Sequence, residues 1–308
     1  MSNSILITGG SGFLGYALAK QLKKKGFEVY GIGRSTKKNI KYNALHEVYE
    51  AYLELDLTET NLNKFKGKHF DAIIHCANNT SISQSFLKPN IDYDSSVSST
   101  KELLNFIKKL QPNTYLVYPS SAAVYGEHTD SPILESSKKN PISPYGKNKL
   151  LVEKILIDFN KNVKTKIGII RFFSIFGPGQ KKQLIWDAAN KISDQKNIST
   201  FFGTGNETRD FIYIEDAIEI IIKLVTLKKE FLIVNGANGE RTPIKKILEL
   251  IKNEINPSSK IVFNNQNKQG DPIFFHADIT ELSKLNYKPK FSLEDGIKKF
   301  CNWYKDIS

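Results

Sequence analysis

The stretch SPYGKNK, residues 143–149, places a tyrosine four residues before a lysine. Residues at this spacing share one face of a helix, so Tyr145 and Lys149 can act as a pair. A phenol with a pKa of about 10 is a weak base at neutral pH, but a neighbouring ammonium group stabilises its ionised form. The pair is therefore a candidate device for proton transfer. The spacing alone is a weak signal, because a lysine-rich chain with 13 tyrosines also produces it by chance, as at Tyr16 and Lys20.

A glycine-rich stretch, ILITGGSGFLG, lies at the start of the chain. Its glycines fit G-x-x-G-x-x-G from Gly9 and also G-x-G-x-x-G from Gly10. The pattern follows an apolar strand and opens a helix, which is the context in which a glycine turn brings the backbone close to a pyrophosphate. We predict dinucleotide contacts in this loop at Gly9, Gly12, Phe13, Leu14 and Gly15.

The end of the second predicted strand, VYGIGRSTKK, bears on the choice of dinucleotide. An acidic residue here accepts from the ribose 2′-hydroxyl of NAD, whereas an arginine can bind the 2′-phosphate of NADP. The chain has Gly33 followed by Arg34, and arginine is rare in a sequence whose 44 basic residues are nearly all lysine. The pattern favours NADP(H). The alternative is NAD(H), with Arg34 only stacking on the adenine.

Strand-like and helix-like segments alternate through the first half of the chain. Short β-branched or aromatic runs predict strands at 4–8, 28–32, 48–55, 71–76, 114–120 and 164–171. Helical patterns lie between them at about 13–25, 60–66, 92–111 and 144–162. This alternation predicts an α/β fold with a doubly wound parallel Rossmann sheet.

The pattern changes after Arg171, where turn-rich segments such as FGPGQ and FFGTGNETRDF appear. Helices are expected near 181–194, 216–226, 243–254 and 293–304, and a strand at 231–236 is expected to return to the main sheet. We therefore predict a dinucleotide-binding domain over 1–171, rejoined by 212–236. A smaller substrate-binding region is predicted over 172–211 and 237–308.

Composition narrows the class of protein. The formal charge of +12 comes from dispersed lysine doublets rather than one basic stripe, so we expect no nucleic-acid partner. Two distant cysteines and five scattered histidines suggest neither a disulfide framework nor a metal site. The sequence shows no signal-peptide pattern and no apolar run long enough to span a bilayer, so we expect a cytoplasmic protein without membrane contact.

Five motifs in order carry a family resemblance: TGGSGFLG, SSAAVYG (120–126), YGKNK (145–149), FGPGQ (176–180) and RDFIYIEDA (209–217). With them the chain, from residue 5 to about 304, resembles an extended short-chain dehydrogenase/reductase of the nucleotide-sugar epimerase and reductase branch.

The resemblance implies roles for particular residues. Tyr145 would be the acid/base on the sugar oxygen, Lys149 would bind the cofactor ribose, and Ser121 would orient the substrate oxygen. Further dinucleotide contacts are implied at Arg34, Asp56, Leu57 and Ala77. Contacts with a nucleotide-diphosphate sugar are implied at Ser81, Ser83, Ser121, Ala122, Ser174, Arg209 and Lys268. A homodimer is expected through the helices at 92–111 and 144–162.

The reaction is narrowed by Ala122 and Ala123, which stand where sugar-nucleotide 4,6-dehydratases carry an acidic pair. Elimination of water needs a further base and acid, and alanine supplies neither. Hydride transfer at C4 of a nucleotide-activated hexose remains. We expect reduction of a 4-keto sugar, since NADPH is the usual donor in biosynthesis. A 4-epimerase or 4-dehydrogenase with tightly bound NAD is the alternative, and a non-catalytic dinucleotide sensor is a remote one.

Overall fold

The computed structural model describes residues 3–34, 42–78, 81–128, 131–194, 198–266 and 270–308. The chain divides into two compact units. The first comprises Met1–Val124, Ser143–Arg171 and Ile218–Val234. The second comprises Tyr125–Ile142, Phe172–Ala217 and Asn235–Ser308.

The strands are short, as is usual for parallel sheets. They are β1 (Ser4–Thr8), β2 (Glu28–Ile32), β3 (Ala51–Leu53), β4 (Ala72–His75), β5 (Tyr115–Ser121), β6 (Lys166–Phe172), β7 (Ser174–Phe176), β8 (Ile198–Phe201), β9 (Thr208–Arg209), β10 (Phe211–Tyr213), β11 (Phe231–Gly236), β12 (Thr242–Pro243) and β13 (Lys260–Phe263).

The helices range from a single turn to 20 residues. They are α1 (Phe13–Lys24), α2 (Tyr42–Val48), α3 (Glu59–Leu62), α4 (Ile82–Leu87), α5 (Pro89–Tyr93), α6 (Ser99–Leu110), α7 (Pro144–Val163), α8 (Gln183–Ser193), α9 (Ile214–Leu227), α10 (Ile244–Ile255), α11 (Thr280–Ser283) and α12 (Leu293–Ile307). A π-helical turn, Asp94–Ser98, joins α5 to α6.

A seven-stranded parallel sheet forms the centre of the first unit, in the order β11-β6-β5-β4-β1-β2-β3. Every residue of β1 is buried, as expected for a strand covered on both faces. The strand order reverses at β1, between β2 and β4, and ligands of such sheets bind at the carboxyl ends of the strands at this point. The predicted doubly wound Rossmann fold is confirmed.

The core of this unit lies between the sheet and amphipathic helices. On α6, Leu103, Phe106 and Ile107 are buried in this core, whereas Lys108 and Lys109 lie in the last turn of the helix. Burial of each such apolar side chain contributes roughly 1.5–3 kcal/mol. The packing is what holds α6 and α7 in place behind the sheet.

The second unit contains three two-stranded sheets, in which β7 pairs with β10, β9 with β12, and β8 with β13. The pairing is parallel in the first and third sheets and antiparallel in the second. Sequence patterns did not predict these strands, or the short helices α2, α4 and α11. Elements of two to seven residues carry too little periodicity to be recognised, and long-range pairing stabilises such strands.

Two predicted segments have different boundaries in the structure. The strand expected over 48–55 is confined to β3, because α2 continues to Val48. The helix expected from residue 92 already begins with α5 at Pro89. Within the described ranges, no helix is both long and apolar enough to cross a membrane.

Candidate active site

The glycine-rich loop connects β1 to α1 and follows the end of β1 closely. Gly9 has φ +67°, and its N–H donates to the carbonyl of Ile32 on β2 at 2.8 Å. A Cβ at Gly9 would lie 2.7 Å from the backbone nitrogen of Ala77, which follows β4. Only glycine fits here, because the position needs both a left-handed conformation and a close backbone approach.

The N-terminus of α1 has the properties of an anion site. Its N-cap is Gly12, and no side chain caps the helix among the residues that the structure describes. The backbone N–H groups of the first turn therefore point out of the N-terminal end of the helix, and no side chain accepts hydrogen bonds from them as a cap. The predicted contacts Phe13, Leu14 and Gly15 lie in this turn, which fits a pyrophosphate.

Two tyrosines that the sequence analysis did not single out donate hydrogen bonds to the glycine-rich loop and to the residue that follows β2. Tyr49 is buried, and its hydroxyl donates to the carbonyl oxygen of Gly10 at 2.8 Å. The Tyr52 hydroxyl donates to the carbonyl oxygen of Gly33 at 3.2 Å. The two rings lie 5.1 Å apart. No local motif marks these tyrosines, since each acts on a loop far away in the chain.

Arg34 and Asp56 are two of the residues predicted to contact the dinucleotide. The Arg34 Nε lies 3.6 Å from Asp56 Oδ1, and both side chains are exposed, at 69% and 72%. Leu57 follows Asp56 and is half-buried. An exposed pair of this kind is weak and leaves both side chains free to rearrange. Residues 35–38 of the segment VYGIGRSTKK lie outside the described residues.

The predicted proton-transfer pair lies at the start of α7. Ser143 caps this helix by accepting from the N–H of Gly146 at 3.1 Å, and Pro144 occupies its first turn. The Tyr145 N–H donates to Ser85 Oγ on α4 at 3.1 Å. The side chains of Tyr145 and Lys149 are both buried. The cap and the contact from α4 therefore fix the turn that carries the pair.

The structure brings Ser121, Tyr145 and Lys149 together. Ser121, at the end of β5, lies close enough to the Tyr145 phenol for its hydroxyl to lower the pKa of that phenol. Lys149 Nζ lies 5.8 Å from the centre of the Tyr145 ring and 4.7 Å from that of Tyr118, and it donates to the carbonyl of Pro119 at 2.9 Å.

Burial controls the protonation of this pair. It raises the pKa of Tyr145 to about 12, although the Ser121 hydroxyl acts in the opposite direction. It lowers the pKa of Lys149 to about 8. Burial is the largest cause of the Tyr145 shift and favours the protonated phenol. The predicted role of Tyr145 as an acid/base stays a prediction.

Behind Lys149 lies a buried histidine that the sequence analysis left without a role. His75 Nδ1 lies 2.7 Å from Thr8 Oγ1, and its Nε2 lies 2.9 Å from Thr100 Oγ1. Burial, with a smaller contribution from the Lys149 charge, lowers the pKa of His75 to about 3. The ring is therefore a neutral link between β1, β4 and α6.

Arg171 is structural. It forms a buried ion pair with Glu153 of α7, with Nη2 donating to Oε2 at 2.8 Å and Nε to Oε1 at 3.1 Å. Ser120 donates to the same carboxylate at 2.5 Å. The pair joins β5, β6 and α7 on the side of the helix that also carries Lys149.

Three residues predicted to contact the sugar also belong to the first unit. Ser81 Oγ caps α4 by accepting from the Gln84 N–H at 3.2 Å and lies 3.2 Å from Ser83 Oγ. Ala122 is buried directly after β5. Ser83 is exposed, so its hydroxyl is accessible.

The other predicted substrate contacts lie in the second unit. Arg209 Nη1 donates to the carbonyl of Thr208 at 2.8 Å, and Nη2 lies 3.9 Å from Asp271 Oδ2. Ser174 begins β7, where its N–H donates to the carbonyl of Asp210 at 2.9 Å. Lys268 lies outside the described residues.

Asp210, next to Arg209, connects several segments of the second unit by hydrogen bonds. Its carboxylate accepts from the backbone N–H groups of Asn238 and Gly239 at 2.9 Å and of Ala277 at 3.2 Å. Burial raises its pKa to about 7, against these three hydrogen bonds. The bonds hold two distant loops against the strand that carries Arg209.

A Rossmann sheet with a glycine-rich first turn and a Tyr-x-x-x-Lys helix is the architecture of an extended short-chain dehydrogenase/reductase. The model of the NAD dependent epimerase/dehydratase family matches residues 5–235, and the chain belongs to this family. It is therefore an enzyme of the NAD(P)-dependent nucleotide-sugar oxidoreductase and epimerase type.

Known relatives span the whole chain. The chain is 29% identical to a putative UDP-glucose 4-epimerase of Methanocaldococcus jannaschii over 306 residues, covering 98% of each chain. It is 29% identical to the UDP-glucuronate 4-epimerase of Thermodesulfobacterium geofontis over 314 residues, covering 98% of this chain and 96% of the relative. The crystal structure of UDP-glucuronic acid 4-epimerase from Bacillus cereus, in complex with UDP-glucuronic acid and NAD, matches with a TM-score of 0.89 and 26% identity over 99% of this chain and 100% of that one.

Proposed function

We propose that the protein is a 4-epimerase of a UDP-activated hexose, glucose or glucuronate, with NAD as cofactor. The observation that carries the proposal is the convergence of Ser121, Tyr145 and Lys149 in a chain whose full-length relatives are named as UDP-sugar 4-epimerases. These relatives favour the epimerase alternative. They do not support the expected reduction of a 4-keto sugar.

In the proposed reaction, Tyr145 would remove the proton of the sugar 4-hydroxyl as hydride leaves C4, and would return a proton to the 4-oxygen when hydride is added to the opposite face of C4. The Ser121 hydroxyl holds the sugar oxygen beside the phenol. Lys149 contributes an ammonium group that favours the phenolate and binds the cofactor ribose. A bound NAD⁺ would supply the hydride acceptor for C4 and a positive charge near the phenol.

The residues of the first unit fit a dinucleotide. The uncapped start of α1 would offer backbone N–H groups to the pyrophosphate, and Gly9 allows the loop to pack against the backbone of Ala77. The remaining contacts are assigned to Gly12, Phe13, Leu14, Gly15, Arg34, Asp56, Leu57, Ala77, Tyr145 and Lys149. The expectation of NADP is not supported. The solved relative contains NAD, and the acidic group of Asp56 beside Arg34 opposes a 2′-phosphate.

The contacts with the UDP-sugar that the sequence predicts are carried over into this proposal. Ser81, Ser83, Ser121 and Ala122 would contact the sugar, and Arg209 would bind the diphosphate. Ser174 and Lys268 complete the proposed set. Regions 172–211 and 237–308 are thus proposed as the substrate-binding part, and 1–171 with 212–236 as the dinucleotide-binding domain.

We further propose that two copies associate through the helices at 92–111 and 144–162. Apolar side chains remain exposed on and beside these helices, including Leu87 (72%), Ile91 (55%) and Leu151 (38%). Exposed apolar groups clustered on helices are typical of a self-association surface. Light scattering should give the mass of a dimer for the wild type and of a monomer for Ile91→Asp with Leu151→Asp.

The function is tested by incubating the purified protein with UDP-glucose and UDP-glucuronate and following the 4-epimers by chromatography. The expected result is conversion of one of them to equilibrium without net consumption of NADH. The variant Tyr145→Phe should lose at least about a hundredfold in rate. The matched control is Tyr16→Phe, which alters the other Tyr-x-x-x-Lys pair and should behave as wild type.

The cofactor is identified by denaturing the protein and analysing the released dinucleotide, which should be NAD. Stoichiometric oxidation of NADPH with a 4-keto sugar would instead establish the reductase. A wild-type rate in Tyr145→Phe would overturn the assignment of the acid/base.

A further inference from the structure

A carboxylate, that of Asp271, lies beside the guanidinium group of Arg209. Nη2 of Arg209 is 3.9 Å from Oδ2 of Asp271. The backbone explains why the two are neighbours, because the Thr208 N–H donates to the carbonyl of Ile273 at 2.9 Å. This bond holds the segment that contains Asp271 along β9, the strand that ends at Arg209. Both side chains belong to the second unit.

The contact is an ion pair without a hydrogen bond. A charge-assisted hydrogen bond has a donor–acceptor distance of roughly 2.7–2.9 Å, well below the observed 3.9 Å. Within the described ranges, the Asp271 carboxylate accepts no hydrogen bond and has no other ion-pair partner. Its side chain is 37% exposed, against 14% for that of Arg209. The carboxylate is therefore loosely held, whereas the guanidinium group is nearly buried.

The guanidinium group of Arg209 does not depend on Asp271 for its place. Arginine has five N–H donors, and in the part of the chain that the structure describes only Nη1 donates, to the carbonyl of Thr208 at 2.8 Å. Burial lowers the pKa of Arg209, and Asp271 is the largest of the charges that act against this effect. A nearly buried cation with donors to spare suits an anion that can accept two hydrogen bonds.

Two other carboxylates, those of Glu207 and Glu127, act on Arg209 more weakly than Asp271 does. Glu207 is engaged by its own loop, where its two oxygens accept from backbone N–H groups at 2.8 and 2.9 Å. Glu127 is exposed and forms no ion pair with Arg209 among the residues described. Asp271 is therefore the carboxylate that an anionic ligand of Arg209 has to replace.

We propose that Asp271 competes with the diphosphate of the UDP-sugar for Arg209 and thereby sets the affinity for the nucleotide sugar. The proposal rests on the assignment of Arg209 to the diphosphate under the proposed function. A diphosphate can accept two hydrogen bonds from the guanidinium group, which the carboxylate does not. It therefore displaces Asp271, but the lost ion pair and the repulsion between the two anions reduce the net affinity.

Calorimetry with UDP as the ligand tests the competition. In Asp271→Asn, which removes the charge and keeps the size of the side chain, the Kd for UDP should fall roughly fivefold. The matched control is Asp306→Asn, which makes the same change in net charge at an exposed residue in the last turn of α12 and should leave Kd unchanged.

A double-mutant cycle tests whether the effect passes through Arg209. In an Arg209→Gln background no guanidinium group is left to compete for, so the further change Asp271→Asn should alter the Kd for UDP by less than about twofold. A gain of the same size in both backgrounds would show a general effect of charge and would overturn the competition.

The kinetic consequence is a lower KM. Loss of the Asp271 charge strengthens the binding of substrate and transition state alike, so KM for the UDP-sugar should fall about fivefold in Asp271→Asn while kcat does not rise. A merely structural Asp271 predicts the opposite, a higher KM, because its removal would leave Arg209 less well ordered.

A Kd for UDP that is unchanged or higher in Asp271→Asn overturns the proposal. If UDP does not bind, inorganic pyrophosphate is the probe, because it presents a diphosphate without a nucleoside or a sugar. A wild-type protein that fails to epimerise UDP-sugars would refute the proposed function, whereas tighter binding of pyrophosphate by Asp271→Asn would still establish the competition. Failure of every variant to bind either probe would refute both.

Discussion

Tyr49, just before β3, donates its phenolic hydrogen to the carbonyl oxygen of Gly10 in the glycine-rich loop, 39 residues earlier in the chain. The same hydroxyl lies 3.3 Å from the carbonyl oxygen of Gly15. One buried side chain thus holds both ends of the loop on which the dinucleotide is proposed to bind.

Removing this hydroxyl should weaken cofactor binding. In Tyr49→Phe two buried carbonyl groups lose their donor, at a cost of about 1 kcal/mol, so the affinity for NAD should fall roughly fivefold. Isothermal calorimetry on cofactor-free protein measures the change. Tyr115→Phe is the control, since the buried Tyr115 hydroxyl has no partner among the described residues. Equal NAD affinity in both variants would show that the loop needs no support from Tyr49.

The Glu153 and Arg171 ion pair predicts a large effect on stability. Glu153→Gln leaves the Arg171 guanidinium buried without its counter-charge and should lower the free energy of unfolding by about 3–5 kcal/mol. Urea unfolding measures it. The exposed pair between Lys23 and Glu50 is the control, because Glu50→Gln should cost less than about 1 kcal/mol. If Glu153→Gln and Glu50→Gln lowered the free energy of unfolding by similar amounts, the Glu153–Arg171 pair would not behave as a buried ion pair.

His75 predicts a loss of stability in mild acid. Its pKa is about 3 in the folded protein and near 6.5 when unfolded, so between these values only the unfolded chain binds the proton. Its contribution is therefore complete above pH 6.5 and should fall by about 1.4 kcal/mol per pH unit below it. Unfolding of wild type and His75→Gln between pH 7 and 5 should show a flatter dependence in the variant. Titration of the His75 ring near pH 6.5 in NMR spectra would refute the prediction.

Arg209 predicts a defect specific to the UDP-sugar. Arg209→Lys keeps the positive charge but loses the planar fork that suits a diphosphate, so KM should rise about tenfold with little change in kcat. NAD affinity should stay the same. Arg241→Lys, in the same unit, is the control and should leave KM unchanged. A fall in kcat alone would place Arg209 outside substrate binding.

The parts of the candidate site that could be predicted from the sequence are those built from residues close together along the chain. The glycine loop and the Tyr145 to Lys149 spacing are local patterns, and the strand and helix around each are strongly periodic. The sheet of the first unit was predictable for the same reason, since its buried strands are apolar throughout.

Contacts between distant segments were not predictable. The ion pair of Arg171 with Glu153, the link of Asp92 to Asn148 and the support of Gly10 by Tyr49 each join elements whose proximity is set by the fold. The expectation of NADP is not supported, for a related reason. Gly33 and Arg34 were considered alone, whereas Asp56, which lies beside Arg34, comes from a different strand end.

Gly33 limits how the enzyme can be redesigned. A Cβ at this position would come within 2.9 Å of the Tyr52 hydroxyl and 3.3 Å of Gly9 Cα. An engineer who wishes to install an acidic side chain there must also replace Tyr52 by a smaller residue. Libraries that vary Gly33 alone should therefore contain few well-folded variants, and libraries that vary Gly33 together with Tyr52 should contain more.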